Sequence, residues 1–357
     1  MLELLSTKSY KSHSWQANAD GTTEVSFFNQ FPQWKQIIQD MSSAGTKSPK
    51  LRWWDSEKGQ ETKGIDYVTF TERLFPGTST SNQSPLTALG FKATDKGILS
   101  CAPFNPVHFL KSHGVTAVAA ARRPLQAPPR REGTRSADKS TFEATLLETQ
   151  PDFELVFSEP TAITGYHIDS FICGSWHYGL TGTKVLYSVP PTEKNWSIFK
   201  NNYLNMAPLE RCFSSANLIS SLVYFTNRFE DLYIDVITPK TNLFLPSGFI
   251  HAVITLDHSA MLTLDLVRED WLEFAEKAFP NQVECFREMV RQRRDTSDLD
   301  TKVLLDENIK IIRDRCRADV FMLEMLEATK GIGTANVSRV QEIIRLWRSE
   351  IMASKTK

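Results

Sequence analysis

The chain has 357 residues, room for two domains of about 150 residues or one elaborated domain. Apolar residues make up 41% and charged residues 23%, the balance of an ordinary soluble globular protein. Lys plus Arg (41) nearly cancels Asp plus Glu (42), which excludes a surface coated throughout in positive charge for gripping nucleic acid.

No apolar run approaches the roughly 18 residues that span a bilayer, and the opening MLELLSTKSYKSHSW does not read as a secretory signal. The expectation is a protein that is neither secreted nor membrane-bound. Cys101, Cys173, Cys212, Cys285 and Cys316 are scattered and never form C-x-x-C. Reduced thiols are therefore expected, with no disulfide framework and no structural zinc module.

Residues 1–121 read as a mixed α/β region packing on the core. Phe27, Phe28, Phe31, Trp34, Ile37 and Ile38 recur at three- and four-residue steps and predict an amphipathic helix. Trp53 and Trp54 follow, as core residues or as an aromatic face for a methylated cation. Then come a predicted strand at Tyr67–Phe70 and a polar loop at Gly77–Pro85. Residues 122–140, RRPLQAPPRREGTRSADKS, carry six basic residues against two acidic and are rich in Pro. Such a segment cannot build a core, so it reads as an exposed, flexible loop. It is the one stretch basic enough to touch nucleic acid.

From residue 141 to 268 short β-type runs alternate with turns: FELVFSE, ITGYHID, TKVLYSVP, DLYIDVITP, TNLFLPSG, HAVITL and AMLTLDLV. Many short strands with Gly, Pro and Asn punctuation predict a sandwich or barrel, with a helical insert near Glu193–Leu204. Residues 269–357 carry helical periodicity, first from Trp271 through Phe279, Phe286 and Val290. Ile309, Ile312, Val320 and Leu323 continue it, Gly331-Ile-Gly333 interrupts it, and Val340, Ile344 and Trp347 mark a last helix.

The chemistry concentrates in Ile163-Thr-Gly-Tyr-His-Ile-Asp169. Side chains alternate along a strand, so His167 and Asp169 project from one face as two candidate metal ligands. His251, in LPSGFIHAV, is the best candidate for a third. Two His and one carboxylate leave three positions open on an iron, enough for a bidentate 2-oxo acid and O2. Lys184 sits inside the otherwise apolar run Thr183–Val189, where a lone ammonium is costly unless it meets an anion or snorkels to a barrel mouth. Thr164 could add a hydroxyl to the same anion, but an offset of three from His167 is out of phase. That pairing requires a bulge near Gly165.

ITGYHID, LTGTKVLYSVPPTEKNW and LPSGFIHAVIT together resemble the Jumonji C (JmjC) domain, nearest to the branch of plant-homeodomain-finger histone demethylases and their F-box relatives. The resemblance covers roughly residues 150–270. It implies a mainly β core with helices, a double-stranded β-helix (jelly roll, cupin-like), with an N-terminal α/β elaboration and a C-terminal helical domain. It further implies Fe(II) held by His167, Asp169 and His251, and 2-oxoglutarate held by Thr164 and Lys184. The implied activity is a 2-oxoglutarate-dependent dioxygenase, hydroxylating or demethylating a lysine side chain of a protein such as a histone tail. No catalytic residue beyond the metal ligands is implied. The implied location is nuclear, otherwise cytoplasmic.

Two positions depart from that branch. His177, followed by Tyr178, stands where the branch has Tyr, and Asp265 stands where it has the Asn of a Gly-Gly-Asn stretch. His177, Tyr178 and Asp265 are therefore candidate pocket residues. His177 reads equally as a satisfied core histidine, and so does His258. A carboxylate at 265 would oppose a second carboxylate nearby. The alternative function is a JmjC-fold scaffold that binds chromatin or protein partners without catalysis.

Overall fold

The computed structural model describes residues 14–16, 52–55, 60–63, 85–92, 110, 115–118, 154–205, 215–328 and 333–352. The expected helix at Phe27–Ile38, the strand at Tyr67–Phe70, the loop at Arg122–Ser140, and Cys101 and Cys212 lie outside the described residues.

Thirteen strands and five α-helices are found among them. The strands are β1 (Ser14–Gln16), β2 (Arg52–Asp55), β3 (Gln60–Lys63), β4 (Leu86–Lys92), β5 (Val115–Val118), β6 (Glu154–Ser158), β7 (Ile163–His167), β8 (Gly174–Thr181), β9 (Lys184–Val189), β10 (Tyr233–Ile237), β11 (Thr241–Leu245), β12 (Ile250–Thr255) and β13 (Ser259–Arg268). The helices are α1 (Glu193–Asn205), α2 (Ser215–Arg228), α3 (Leu272–Asp295), α4 (Leu299–Ala328) and α5 (Thr334–Leu346). Trp347–Met352 continues α5 as a π-helical turn.

The strands form two antiparallel sheets. The larger runs β1-β11-β8-β13-β6-β4-β2-β3, with β5 also pairing to β13. The smaller runs β10-β9-β12-β7. The described strands from residues 1–121 thus enter the same sheet as β6, β8, β11 and β13. Trp53 and Trp54 lie on β2, between β3 and β4.

Two apolar clusters place the sheets. One joins Val156, Leu243, Leu245 and Met261 of the larger sheet to Leu186 and Ile237 of the smaller, so the sheets face each other across it. The other gathers Tyr166, Tyr187, Val189, Ala252 and Ile254 from the opposite face of the smaller sheet. Over that face lie Trp196 and Phe199 of α1, Leu222 and Phe225 of α2, and the apolar stripes of α3–α5. Strands β9 and β12 are therefore buried on both faces, which explains their near-continuous apolar sequences.

Helix α3 buries Leu272, Ala275, Ala278, Phe279, Gln282, Val283 and Phe286, a stripe at helical spacing. The turn into β12 lies directly on that stripe. A Cβ at Gly248 would stand 2.7 Å from the Ala278 Cβ, and the backbone there has φ +72°, so glycine is required on both counts. Cys173, Cys285 and Cys316 are buried free thiols.

Candidate metal centre

His167 ends β7 and His251 is the second residue of β12, and the antiparallel register sets the two directly opposite. Their ring centroids lie 4.2 Å apart. Each ring is pinned by a backbone carbonyl two residues earlier: His167 Nδ1 to Gly165 O at 2.8 Å, His251 Nδ1 to Phe249 O at 3.2 Å. A carbonyl can only accept, so Nδ1 carries the proton in each ring and Nε2 is turned to the centre.

Asp169 sits two residues past the end of β7, in the loop to β8, and not on a regular strand. Its Oδ1 lies 3.5 Å from His167 Nε2 and its Oδ2 lies 3.4 Å from His251 Nε2. The three ligand atoms all fall within 4.8 Å of one another. Burial works to raise the Asp169 carboxyl, but hydrogen bonds and positive charge from His167 and His251 outweigh it and hold the group well below the usual carboxylate value. With both imidazoles neutral, two lone pairs would face a carboxylate. Three acceptors converging in this way fit a divalent cation of the kind bound by His and carboxylate oxygen.

The interior beside this cluster is polar. Along β9 and β12, Ser188 stands opposite His251, Leu186 opposite Val253, and Lys184 opposite Thr255. Leu186 belongs to the cluster between the sheets, so Lys184 and Ser188 face that interior too. Lys184 is 3% exposed and does not snorkel to solvent. Its Nζ donates to Ser158 Oγ at 2.7 Å, and Thr87 donates to the same hydroxyl at 3.0 Å. Burial pulls the Lys184 ammonium down to about 7.

Thr164 reaches the same face by a bulge. His167 pairs with His251 and Thr164 with Val253, so Gly165 and Tyr166 together oppose the single residue Ala252. The extra residue restores Thr164 to the side of His167.

From the larger sheet, β8 contributes Ser175 and His177, opposite Leu245 and Leu243 of the intersheet cluster. His177 Nε2 meets Ser175 Oγ at 2.8 Å. Burial, then the positive charge of His251, pushes the His177 imidazole down to about 3; Asp169 opposes this and Lys184 reinforces it. His177 thus lies in the electrostatic field of both the metal cluster and Lys184. Tyr178 falls on the opposite face of β8, stacked on Trp176 at 6.0 Å, and does not line the interior that His177 faces. Asp265 lies opposite Ser175 on β13, half-buried, near enough that its charge helps push the buried Cys173 thiol up. His258 is exposed in the turn between β12 and β13 and is not a core residue.

Several buried polar atoms without a hydrogen bond belong to side chains on this interior, among them His177 Nδ1, Ser188 Oγ and Ser259 Oγ. Ser259 stands opposite Ser158, the Lys184 partner. Unmet polar atoms gathered in one interior are what a bound polar molecule would satisfy. Sequence reasoning missed Ser158, Ser175, Ser188 and Ser259. Their signal was a small hydroxyl at the inward-facing parity of an otherwise apolar strand.

A pair of imidazoles and a carboxylate converging inside an antiparallel β framework defines the chain as a candidate mononuclear metal protein. Comparison with known proteins goes further. The chain is 28% identical over 104 residues to JmjC domain-containing histone demethylation protein 1 of Caenorhabditis elegans, which covers 29% of this chain and 8% of that protein. It is 29% identical over 92 residues to lysine-specific demethylase 7A of Mus musculus, covering 26% of this chain and 8% of that protein. It is 33% identical over 92 residues to histone lysine demethylase PHF8 of Danio rerio, with the same coverage of 26% and 8%. A segment of about 100 residues is thus similar to JmjC-domain and lysine-specific histone demethylases. The matched stretch spans less than a tenth of the length of these relatives. No family model matches the chain.

Proposed function

We propose that this protein is an Fe(II)- and 2-oxoglutarate-dependent oxygenase of JmjC type that acts on a lysine side chain of a histone-like protein. The observation that carries the proposal is the convergence of His167, Asp169 and His251 within 4.8 Å, on an interior shared with the buried Lys184. Strand order supports a double-stranded β-helix from residue 154 to 268. β6, β8, β11 and β13 form one four-stranded set and β7, β9, β10 and β12 the facing set, so most successive strands cross between sheets. In this reading the N-terminal strands extend the jelly roll and α3–α5 form a C-terminal helical domain.

His167, Asp169 and His251 would hold the metal and leave positions open for ligands. With 2-oxoglutarate and O2, bound Fe(II) would supply oxidative decarboxylation to succinate and hydroxylation of a C–H bond, which on an N-methyl group releases formaldehyde. Lys184 would take the distal carboxylate, assisted by Thr164 on the same face. Lys184 lies four residues along β9 from the partner of His251, about 13 Å of strand, a span that the Lys side chain and a five-carbon diacid fill together. His177, neutral at physiological pH, would offer a hydrogen bond without adding charge.

The relatives named above are histone demethylases, which supports a protein substrate and a nuclear location. Among the described residues no helix is long and apolar enough to cross a membrane. Any nucleic-acid contact is assigned to residues 122–140. Purified protein with Fe(II), 2-oxoglutarate and methylated histone peptides should form succinate, and His167→Ala should not. Formaldehyde release separates a demethylase from a hydroxylase. The second reading, a non-catalytic scaffold, is favoured by Asp265, whose carboxylate faces the interior beside Ser175. It predicts no 2-oxoglutarate binding to the metal-loaded protein.

A further inference from the structure

The loop that carries Asp169 is held by a buried carboxylate from a distant helix. Residues 168–173, between β7 and β8, belong to no ladder, so no sheet register fixes the place of the carboxylate ligand. Ser170, its immediate neighbour, does so instead. The Ser170 hydroxyl accepts the backbone N–H of Ile172 at 3.1 Å and of Cys173 at 2.8 Å, folding the loop back on itself. The same hydroxyl donates to Oδ2 of Asp319 on α4 at 2.9 Å. The Ser170 carbonyl accepts the N–H of Gly248 at 3.0 Å, in the turn that leads to His251. Ser170 therefore ties the two ligand-bearing segments to each other and to α4.

Asp319 is 7% exposed, and its second oxygen accepts the Cys173 thiol at 3.7 Å. Its helix neighbours Cys316, Val320 and Leu323 are buried in the apolar cluster on the outer face of the smaller sheet. A carboxylate in such a place is costly, and an apolar side chain would pack there with less penalty. What the carboxylate adds is a fixed acceptor for the Ser170 hydroxyl.

We infer that Asp319 is a positioning residue for the metal site: acting through Ser170, it orients Asp169 and makes metal affinity depend on the C-terminal helices. The inference rests on the reading of His167, Asp169 and His251 as metal ligands.

The test uses the full chain and Co(II) as the probe, with affinity and ligand-field absorption as readouts. Removing a group that orients a metal ligand typically weakens binding about 10–100-fold, so Asp319→Ala and Ser170→Ala should each show that loss and an altered Co(II) spectrum. Because the two act through one bond, the double variant should lose little more than either single one. Asp319→Asn keeps an oxygen for Ser170 and should retain affinity to within about threefold. Val320→Ala removes packing beside Asp319 without touching Ser170, and should lower thermal stability but leave Co(II) affinity unchanged.

If Asp319→Ala and Ser170→Ala bind Co(II) like the unaltered protein, the positioning role is overturned while the metal site stands. Equal weakening by Val320→Ala would overturn it as well, since the effect would then be general loosening. If the unaltered protein binds no Co(II), the metal reading itself falls and the inference falls with it.

Discussion

Thr164 and His167 stand on the same side of β7 although three residues separate them, because Gly165 and Tyr166 together oppose one residue of β12. Without that bulge the hydroxyl would point to the helices and away from Lys184. Thr164→Val keeps the shape and removes the hydroxyl, a loss of about 1 kcal/mol or roughly fivefold in 2-oxoglutarate affinity. Co(II) affinity should not change. Calorimetry with each ligand separates the two effects.

His251 is buried opposite His167 and supplies one of three converging ligand atoms. Its replacement by Ala should weaken divalent metal binding at least about 100-fold, beyond the usual effect of losing an orienting partner alone. Binding to the native state alone should also stabilise the fold, by about 2.7 kcal/mol at a metal concentration 100 times the Kd. Thermal denaturation with and without Co(II) measures this, and His251→Ala should show no metal-dependent shift.

Lys184 is held near neutrality by burial, down to about 7 from 10.5. A bound dicarboxylate favours the ammonium, so binding should take up protons, and affinity should fall as pH rises above about 7. Calorimetry in buffers of different ionisation heat reads the proton count. The stability linkage has the opposite slope. Between about 7 and 10.5 the unfolded state binds more protons at this residue, so its penalty is complete below 7 and is relieved as pH rises. Lys184→Met should flatten that slope and raise stability at neutral pH by roughly 1–3 kcal/mol while abolishing 2-oxoglutarate binding.

His177 is kept neutral in the fold, with burial pushing it down to about 3 from 6.5. The unfolded state therefore binds the extra proton between those values, and stability falls with pH from 6.5 downward. From pH 6.5 to 4.5 this residue alone should account for about 2–3 kcal/mol. Denaturant titrations at several pH values should show the loss in the unaltered protein and a shallower one in His177→Phe.

Much of this was legible in the sequence because the critical residues break a local pattern. A Lys inside Thr183–Val189 and a His-x-Asp at a strand end stand out against apolar neighbours, and the structure brings His167, Asp169 and His251 together. Strand alternation does not account for the nearness of His167 and Asp169, since Asp169 lies in a loop past the end of β7.

Strand β8 was not anticipated. It is buried on both faces, yet its inward residues Ser175, His177 and Gly179 are polar or small and mask its strand character. Helix α2 was missed too, because Ser215–Arg228 is studded with Ser, Asn and Thr among its buried Leu222 and Phe225. Pairings between segments far apart, such as β4 with β6 and β1 with β11, leave no trace in local periodicity. The same is true of Asp319, whose partner is 149 positions away.

The most direct test of the central claim is calorimetric titration of 2-oxoglutarate into protein loaded with Mn(II), which occupies the metal site without turnover. The account predicts binding that requires the metal and is lost in both His251→Ala and Lys184→Met. Absence of binding to the metal-loaded unaltered protein, or binding indifferent to Lys184, would contradict it.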